Sequence, residues 1–315
     1  MIKTVLKAPK KLCIYDSRTS ADVYSLLYRI NEEANSNKSQ ITLDLREVEQ
    51  ITAAASVLLF ATINTCQLMQ GDSNQVRCIF PTEKKNPNGY RYIVRTGLAR
   101  ALMSGNFDKL EELVKAGAYF QSSTNPSLHL IETVNFITKN ANLNEEQFIM
   151  LTSGIGEAML NVFHHAYKNP KTVKDTHQSK ALLVEVMGER WWQCAWYDEE
   201  KRTWVFIICD LGIGIPQSYG HNIISPLYTT TIKELMLGAF TLGKSRFIGK
   251  GRGNGSEDIK SVIGINKINS ETLLVYSGGI KYTYLSGEQE PEVEDLKRFF
   301  MGTLIEWQVQ LEEQQ

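Results

Sequence analysis

The sequence predicts an α/β protein of two domains, and three observations support this prediction. The chain has 315 residues, more than a single domain usually contains. Short strand-like segments alternate with amphipathic segments over residues 10–102, which is typical of an α/β domain. The second half has long helical segments followed by strands and glycine-rich loops, which predicts helices on one face of a mixed sheet. We therefore expect domains at 1–103 and 126–315, joined by a connector at 104–125.

The N-terminal region predicts strands where apolar residues alternate and helices where they recur at three- and four-residue spacing. Ser20 is expected to cap the first helix, because its hydroxyl can accept a bond from a free backbone N–H group. The expected elements are a strand at Lys11–Tyr15, a helix from Ser20 to about Asn35, a strand at Ile41–Leu45, a helix from Ala53 to about Met69, a strand at Val76–Phe80, a helix around Tyr92–Met103 and, in the connector, a short helix from Asp108 to Ala116.

The C-terminal region predicts two long helices, followed by strands and further helices. Asn144 precedes two glutamates and is expected to cap the second helix, since acids favour the first turn. The expected helices are Pro126–Asn140, Asn144 to about Tyr167, Thr231–Phe240 and Ser256–Ile263, and the expected strands are Ala181–Met187, Trp191–Tyr197, Thr203–Cys209, Thr272–Tyr276, Gly279–Leu285 and Thr303–Leu311.

Composition argues against several classes of function. The net charge of −1 provides no overall basic field, so nucleic acid and anionic membranes are not indicated as partners. The longest apolar stretches, such as Ala53–Ala61, fall short of a membrane span, and the N-terminus lacks an apolar signal core. We therefore expect a cytoplasmic protein. The five cysteines form no C-x-x-C pair, which favours reduced thiols over a disulfide framework or a zinc site.

The first of three motifs lies on the second long helix of the C-terminal region. Asn161, His164 and His165 follow Glu157 by four, seven and eight residues, which predicts one stripe on an α-helix. A carboxamide oxygen is a suitable ligand for magnesium, and a carboxylate can orient or deprotonate an attacking nucleophile. The alternative is a solvated polar face in which the histidines only pack or cap.

The second motif follows the apolar strand that ends at Cys209. It places Asp210 two residues before Gly212 and four before Gly214, and the glycines permit close backbone approach. A carboxylate there can accept a hydrogen bond from the amino group of adenine. The alternative is an ordinary turn between a strand and a loop.

The third motif is a run of alternate glycines just before the helix that begins at Ser256. Such glycines expose backbone N–H groups, and the start of a helix adds partial positive charge, so the segment can hold phosphate. The alternative is a flexible basic surface loop. The glycines are Gly249, Gly251, Gly253 and Gly255, and the nearby cations are Lys244, Arg246, Lys250 and Arg252.

A match to the phosphate-binding P-loop pattern at Gly238–Ser245 is interpreted as accidental. A P-loop follows a strand, whereas Lys233–Leu237 is helical in pattern. Lys244 can still reach phosphate from a lid. Taken together, the three motifs predict an ATP site.

These residues resemble the GHKL superfamily of ATPases, and the first motif is most similar to the E-A-x-x-N-x-x-x-H-x-Y pattern of anti-sigma-factor serine kinases. The resemblance covers about 126–311. It implies a Bergerat-type fold, an α/β sandwich with helices on one face of a mixed sheet, with magnesium between Asn161 and the phosphates and Glu157 as the base. Asn254 departs from the apolar residue of many relatives. The matching residues are Glu157, Ala158, Asn161, His165, Tyr167, Asp210, Gly212, Gly214, Gly251, Gly253, Gly255 and Gly302–Thr303, the Thr assisting adenine binding.

The N-terminal region resembles a STAS domain, the fold of anti-anti-sigma factors. The segment Ile41–Val48 and the alanine-rich helix start after it are the basis of this resemblance. Where such factors have a phosphorylated D-S-S-G sequence, this chain has Thr52 followed by three alanines. Either Thr52 or Ser56 substitutes for the missing serine, or the domain serves only in docking or dimerisation.

Three functional hypotheses follow. The first is an ATP-binding regulatory protein with magnesium-dependent ATPase activity, whose lid at about 215–255 closes and switches a protein partner. The second is an anti-sigma-type serine/threonine kinase acting on a separate STAS-like partner. The third is a non-catalytic nucleotide-sensing adaptor in a stress or defence system. A small STAS-like protein or an effector is the expected partner, and a homodimer is compatible with all three.

Overall fold

The structure is a computed structural model that describes residues 2–140, 143–167, 177–198, 202–220, 231–241, 255–264, 271–296 and 298–310. The predicted mixed α/β class is confirmed. The chain divides into two compact units. Unit 1 comprises Met1–Ser122, Glu185–Gly188 and Trp192–Cys194, and unit 2 comprises Ser123–Val184, Glu189–Trp191 and Ala195–Gln315. The first change of unit, after Ser122, lies within the segment predicted as a connector.

Unit 1 is built on a three-stranded parallel sheet in the order β1-β3-β5, with a separate parallel pair β2-β4. One face of the larger sheet is apolar, since Leu6, Leu43 and Cys78 lie side by side across its strands. The strands are β1 (Lys3–Lys7), β2 (Lys11–Leu12), β3 (Gln40–Asp44), β4 (Gln50–Ile51), β5 (Val76–Ile79) and β6 (Phe120–Ser123), and the helices are α1 (Ser17–Asn31), α2 (Ala53–Gln70), α3 (Pro87–Gly89), α4 (Leu98–Leu102) and α5 (Phe107–Lys115), with π-helical turns at Glu32–Ser36 and Tyr90–Arg95.

Helix α2 forms the centre of unit 1. The Thr52 hydroxyl caps its first turn by accepting the Ala55 N–H, and Gly71 ends it in a left-handed conformation at φ 60°. By length and composition this helix could cross a membrane, but 78% of it is buried within the fold, as in a core helix. The hydroxyl of Ser56 donates to the Thr52 carbonyl at 2.9 Å, and Ser56 is buried.

Two predictions in unit 1 are wrong in detail. Helix α1 begins at Ser17 and not near Ser20, because the Asp16 carboxylate accepts the Arg18 N–H and so caps the helix earlier. The helix expected over 92–103 is interrupted by Gly97 at φ 83°, which separates a π-helical turn from α4. Left-handed geometry at a glycine ends a regular helix.

The strands described in unit 2 follow the order β11-β10-β9-β12-β8-β7. Strands β8, β12, β9, β10 and β11 are successively antiparallel. The elements are helices α6 (Pro126–Asn140), α7 (Glu145–Asn161), α8 (His177–Met187), α9 (Ile215–Gly220), α10 (Ile232–Ala239) and α11 (Gly255–Ser261), a π-helical turn at Val162–Ala166, and strands β7 (Trp191–Asp198), β8 (Thr203–Asp210), β9 (Thr272–Ser277), β10 (Ile280–Leu285), β11 (Glu292–Asp295) and β12 (Thr303–Gln310).

Alternate residues of β8, β12 and β9 form one side of a core with α7, α10 and α11. Phe206 and Trp307 lie opposite each other in the sheet and stack at 5.8 Å between ring centroids. The Trp307 indole N–H donates to the Ile259 carbonyl at 2.8 Å, which attaches α11 to the sheet. The core therefore fixes α11, the helix after the glycine run, against the same face of the sheet as α7.

Several elements of the C-terminal region differ from prediction. The expected strand at Ala181–Met187 is instead the end of helix α8. A short apolar run does not distinguish a strand from a helix, and the leucines and Met187 here are good helix formers. The short strand β11 and the helix α9 were not predicted, and neither were the strands β1, β4 and β6 listed with unit 1. The predicted cap at Asn144 is confirmed, with a reciprocal capping box to Gln147.

Candidate functional site

A row of three polar side chains crosses the sheet of unit 2 where its apolar core ends. Thr303 in β12 pairs directly with Asp210 in β8 and with Ser277 in β9. All three are buried, with exposed fractions of 8% for Thr303, 5% for Asp210 and 0% for Ser277. Two residues further along each strand, the same face carries core residues. Since side chains alternate between faces along a strand, the polar row continues the helix-covered face of the sheet.

Ser277 connects three segments of chain with one hydroxyl. Its Oγ accepts the Ile215 N–H at 2.8 Å, donates to the Gly302 carbonyl at 2.9 Å and lies 3.1 Å from Thr303 Oγ1. The sequence analysis did not identify Ser277. A serine at the end of a strand and before two glycines is the only signal that could have indicated it.

The second motif is a tight turn that depends on its glycines. Asp210 Oδ1 accepts the Gly212 N–H at 2.7 Å. A Cβ atom at Gly212 would overlap the Ala166 carbonyl oxygen, and Gly214 adopts φ 84°. Any other residue at Gly212 would have to displace the backbone at Ala166. The close approach of these two backbone segments therefore requires glycine, as the sequence analysis expected.

The end of the first motif is attached to the second motif by two hydrogen bonds. The buried Tyr167 hydroxyl accepts the Leu211 N–H at 3.2 Å and donates to the Arg190 carbonyl at 2.6 Å. The Ile213 N–H donates to the Ala166 carbonyl at 2.8 Å. Burial and the charge of Asp210 raise the pKa of Tyr167 well above its ordinary value, so the phenol stays neutral.

The start of the first motif meets the end of the third motif. A Cβ atom at Gly255 would overlap the Glu157 carboxylate, so the backbone of Gly255 lies directly against that side chain. The same two helices also approach each other at Gly154, where a Cβ atom would lie 3.0 Å from the Asp258 carbonyl oxygen of α11 and would overlap Val262 just after that helix. Glu157 and Asn161 are both half-buried and one helical turn apart in α7.

The predicted stripe of four residues on one helix face is altered by a change of helix type. The α-helix ends at Asn161, and residues Val162–Ala166 form a π-helical turn. Glu157 and Asn161 retain the i, i+4 spacing, whereas the wider turn shifts His164 and His165 away from 3.6-residue spacing.

Much of the third motif lies outside the described residues. Its last positions, Gly255 and Ser256, form the first turn of α11 and are half-buried. The P-loop-like match begins at Gly238 inside α10, so it does not follow a strand. The predicted phosphate-binding residues that lie outside the described residues are Lys244, Lys250, Gly251, Arg252 and Gly253, together with Gly249 and Arg246. Asn254, the departure from the family pattern, lies outside them too.

Within the described part of the chain, no group of three or more His, Cys, Asp or Glu side chains is arranged to hold a metal ion. Comparison of the chain with protein-family models, curated proteins and solved structures finds no match.

Proposed function

We propose that unit 2 is an ATP-binding domain of the Bergerat type and that the protein is an ATP-dependent regulator with slow, magnesium-dependent ATPase activity. The observation that carries this proposal is the meeting of three motifs that are far apart in sequence. Tyr167 and Ala166 bond to the second motif, and Glu157 contacts Gly255 at the end of the third. An accidental set of motifs has no reason to converge in this way.

The buried polar row suits recognition of adenine. The Asp210 carboxylate offers acceptors for an amino group, and Thr303 offers a hydroxyl beside it. Both are buried, and a site built to hydrogen-bond a ligand discriminates strongly against an analogue that cannot make those bonds. In the proposal this row binds the base, and the apolar residues behind it pack below the ring.

The other end of the site suits the phosphates. The backbone at Gly255 and Ser256 begins helix α11 beside Glu157, and the undescribed Lys244, Lys250, Gly251, Arg252 and Gly253 complete the phosphate-binding segment in the proposal. The Asn161 side chain supplies a carboxamide oxygen of the kind magnesium prefers. Bound magnesium would neutralise phosphate charge, and Glu157 would accept the proton of the attacking water.

The architecture supports the same proposal. Helices α7, α10 and α11 pack on one face of a sheet in which β8, β12, β9, β10 and β11 are successively antiparallel, and helices on one face of a sheet are expected for a Bergerat sandwich. In unit 1, the Ser56 hydroxyl is buried and bonded to the backbone, and the Thr52 side chain caps α2. Both arrangements favour a STAS-like unit that docks a protein partner over one that accepts phosphate at these hydroxyls.

The test uses the full chain with ATP and magnesium, measuring binding by calorimetry and phosphate release by a coupled assay. Glu157→Gln is expected to bind ATP while losing phosphate release by about 10²–10⁴-fold, the range for removal of a general base. Glu145→Gln, at the exposed start of the same helix, is the matched control and should retain both properties. Absence of ATP binding to the native chain would refute the proposal. Transfer of labelled phosphate to a co-purified protein would indicate that the protein is a kinase and not an ATPase.

A further inference from the structure

The direction of each hydrogen bond around Ser277 follows from a count of hydrogens. A serine hydroxyl has one hydrogen and two acceptor lone pairs. The Gly302 carbonyl can only accept, so the hydrogen of Ser277 points to it. The Ile215 N–H can only donate, so it occupies one lone pair. The remaining lone pair faces Thr303 Oγ1 at 3.1 Å, and the Thr303 hydroxyl must therefore donate its hydrogen to Ser277.

This arrangement decides what Thr303 can offer to a ligand. With its hydrogen committed to Ser277, the Thr303 oxygen has only lone pairs left. Its neighbour across the strand pair, Asp210, is a carboxylate and likewise only accepts. The two adjacent groups therefore present acceptors alone, and a ligand group that also accepts would face unfavourable electrostatics in a buried place.

The backbone around Ser277 is shaped to hold this geometry. Gly302 adopts φ 90° and Gly214 adopts φ 84°, conformations that favour glycine. A Cβ atom at Gly214 would lie 2.9 Å from Ser277 Oγ and 3.2 Å from the Gly302 carbonyl oxygen. Glycines thus allow two backbone segments to approach the one hydroxyl, so the Gly302 carbonyl lies within reach of its hydrogen and the Ile215 N–H within reach of its oxygen.

We propose, on the basis of the proposed nucleotide site, that Ser277 determines its base specificity by holding the Thr303 hydroxyl as an acceptor. The site then selects a purine with an amino group at position 6 and rejects one with a carbonyl there. Ser277 is a positioning residue in this proposal, because it acts through Thr303.

The test measures dissociation constants for ATP and ITP, with magnesium, on the full chain by calorimetry. ITP carries a carbonyl at position 6 and a proton on N1. Ser277→Ala frees the Thr303 hydrogen to donate, so the preference for ATP over ITP is expected to fall about tenfold, the equivalent of one hydrogen bond. Ser286→Ala removes another buried serine hydroxyl of unit 2 and should leave the preference unchanged.

A double-mutant comparison separates action through Thr303 from general disturbance. Thr303→Val should also reduce the preference for ATP, and adding Ser277→Ala to it should change the preference no further. An unchanged preference in Ser277→Ala, or an undiminished effect of Ser277→Ala in the Thr303→Val background, would overturn the inference while leaving ATP binding intact. Failure of the native chain to bind either nucleotide would overturn both proposals.

A measurement on the native chain tests the acceptor-only pocket even if Ser277→Ala does not fold. Purine riboside triphosphate has no substituent at position 6, so it lacks both the amino donor and the carbonyl acceptor. A pocket of acceptors alone should therefore bind ATP more tightly than purine riboside triphosphate. Equal affinities for these two nucleotides would contradict the inference.

Discussion

Asp44 in unit 1 and Asp210 in unit 2 both end a buried strand, and both accept the backbone N–H of the residue two positions later. Asp44 also binds Arg46 through both oxygens, with Nε at 2.9 Å and Nη2 at 2.6 Å. At the corresponding position after Asp210 stands Gly212, which has no side chain. Asp210 instead lies in a row with the hydroxyls of Thr303 and Ser277.

The difference shows how one residue changes the use of a carboxylate. An arginine two positions later neutralises Asp44 within its own turn, so that carboxylate stabilises the loop. A glycine there lets the Ala166 carbonyl approach the turn and keeps Asp210 facing the polar row. The following predictions test this contrast, in order of decreasing effect.

The largest effect is expected from the two aspartates themselves. Asp210→Asn removes the charge and replaces one of the two acceptor oxygens with an NH₂ donor, so ATP affinity should fall by about 100-fold or more, as when a buried site loses a required partner. Asp44→Asn should leave ATP affinity unchanged. Calorimetric titration of both variants with ATP and magnesium provides the measurement. Equal losses in the two variants would show that the contrast has no bearing on binding.

Substitution of Gly212, in the turn after Asp210, should reduce both stability and ATP binding, whereas substitution of a surface glycine should not affect binding. Gly212→Ala forces a Cβ into the Ala166 carbonyl and should reduce the free energy of unfolding by about 1–3 kcal/mol while weakening ATP binding. Gly71→Ala meets no atom within 4 Å. It should cost about 1 kcal/mol through its left-handed backbone alone and leave binding intact. Urea denaturation, together with nucleotide titration, distinguishes the two.

Tyr167 should support the Asp210 turn through its hydroxyl. Tyr167→Phe leaves the Leu211 N–H and the Arg190 carbonyl without this partner, which should cost about 1–3 kcal/mol of unfolding free energy. ATP affinity should fall more modestly than in Asp210→Asn. Tyr28→Phe, at an exposed tyrosine of unit 1, is the control. A Tyr167→Phe protein with native stability and affinity would contradict the role given to this hydroxyl.

The smallest effect concerns the Asp44 pair and its dependence on pH. Hydrogen bonding to Arg46 lowers the pKa of Asp44 from 3.8 to about 2. Because the folded pKa lies below the unfolded one, the stabilisation is present above about pH 4 and is lost as pH falls towards 2. Arg46 is exposed, so the contribution should be about 1 kcal/mol or less. Arg46→Ala should therefore reduce the change in the free energy of unfolding between about pH 4 and pH 2, as measured by urea denaturation at each pH.

The control for the pH experiment is Arg95→Ala, which removes a pair with Glu83 in which both side chains are well exposed. Its effect on the pH dependence should be smaller than that of Arg46→Ala. A profile that stays as steep without Arg46 as with it would rule out this pair as the source of acid sensitivity.

Elements with strong local signals were predictable from sequence. The cap at Asn144 and strands β8 and β12 were predicted closely, because capping groups and alternating apolar residues act over a few neighbouring positions. The run at 181–187 was misassigned as a strand because its six apolar residues satisfy either periodicity. Among site residues, Asp210, Gly212 and Glu157 were identified by motif, whereas Ser277 had no motif to mark it.

The linear sequence was sufficient for the α/β class, for most helix and strand positions and for the three motifs, since each depends on residues close together in the chain. Only the folded chain placed Thr303 between Asp210 and Ser277, since strand register brings together residues 26 to 93 positions apart. The same is true of the contact between Glu157 and Gly255. Hydrogen-bond direction at Ser277 depends on three segments at once, and no local pattern encodes it.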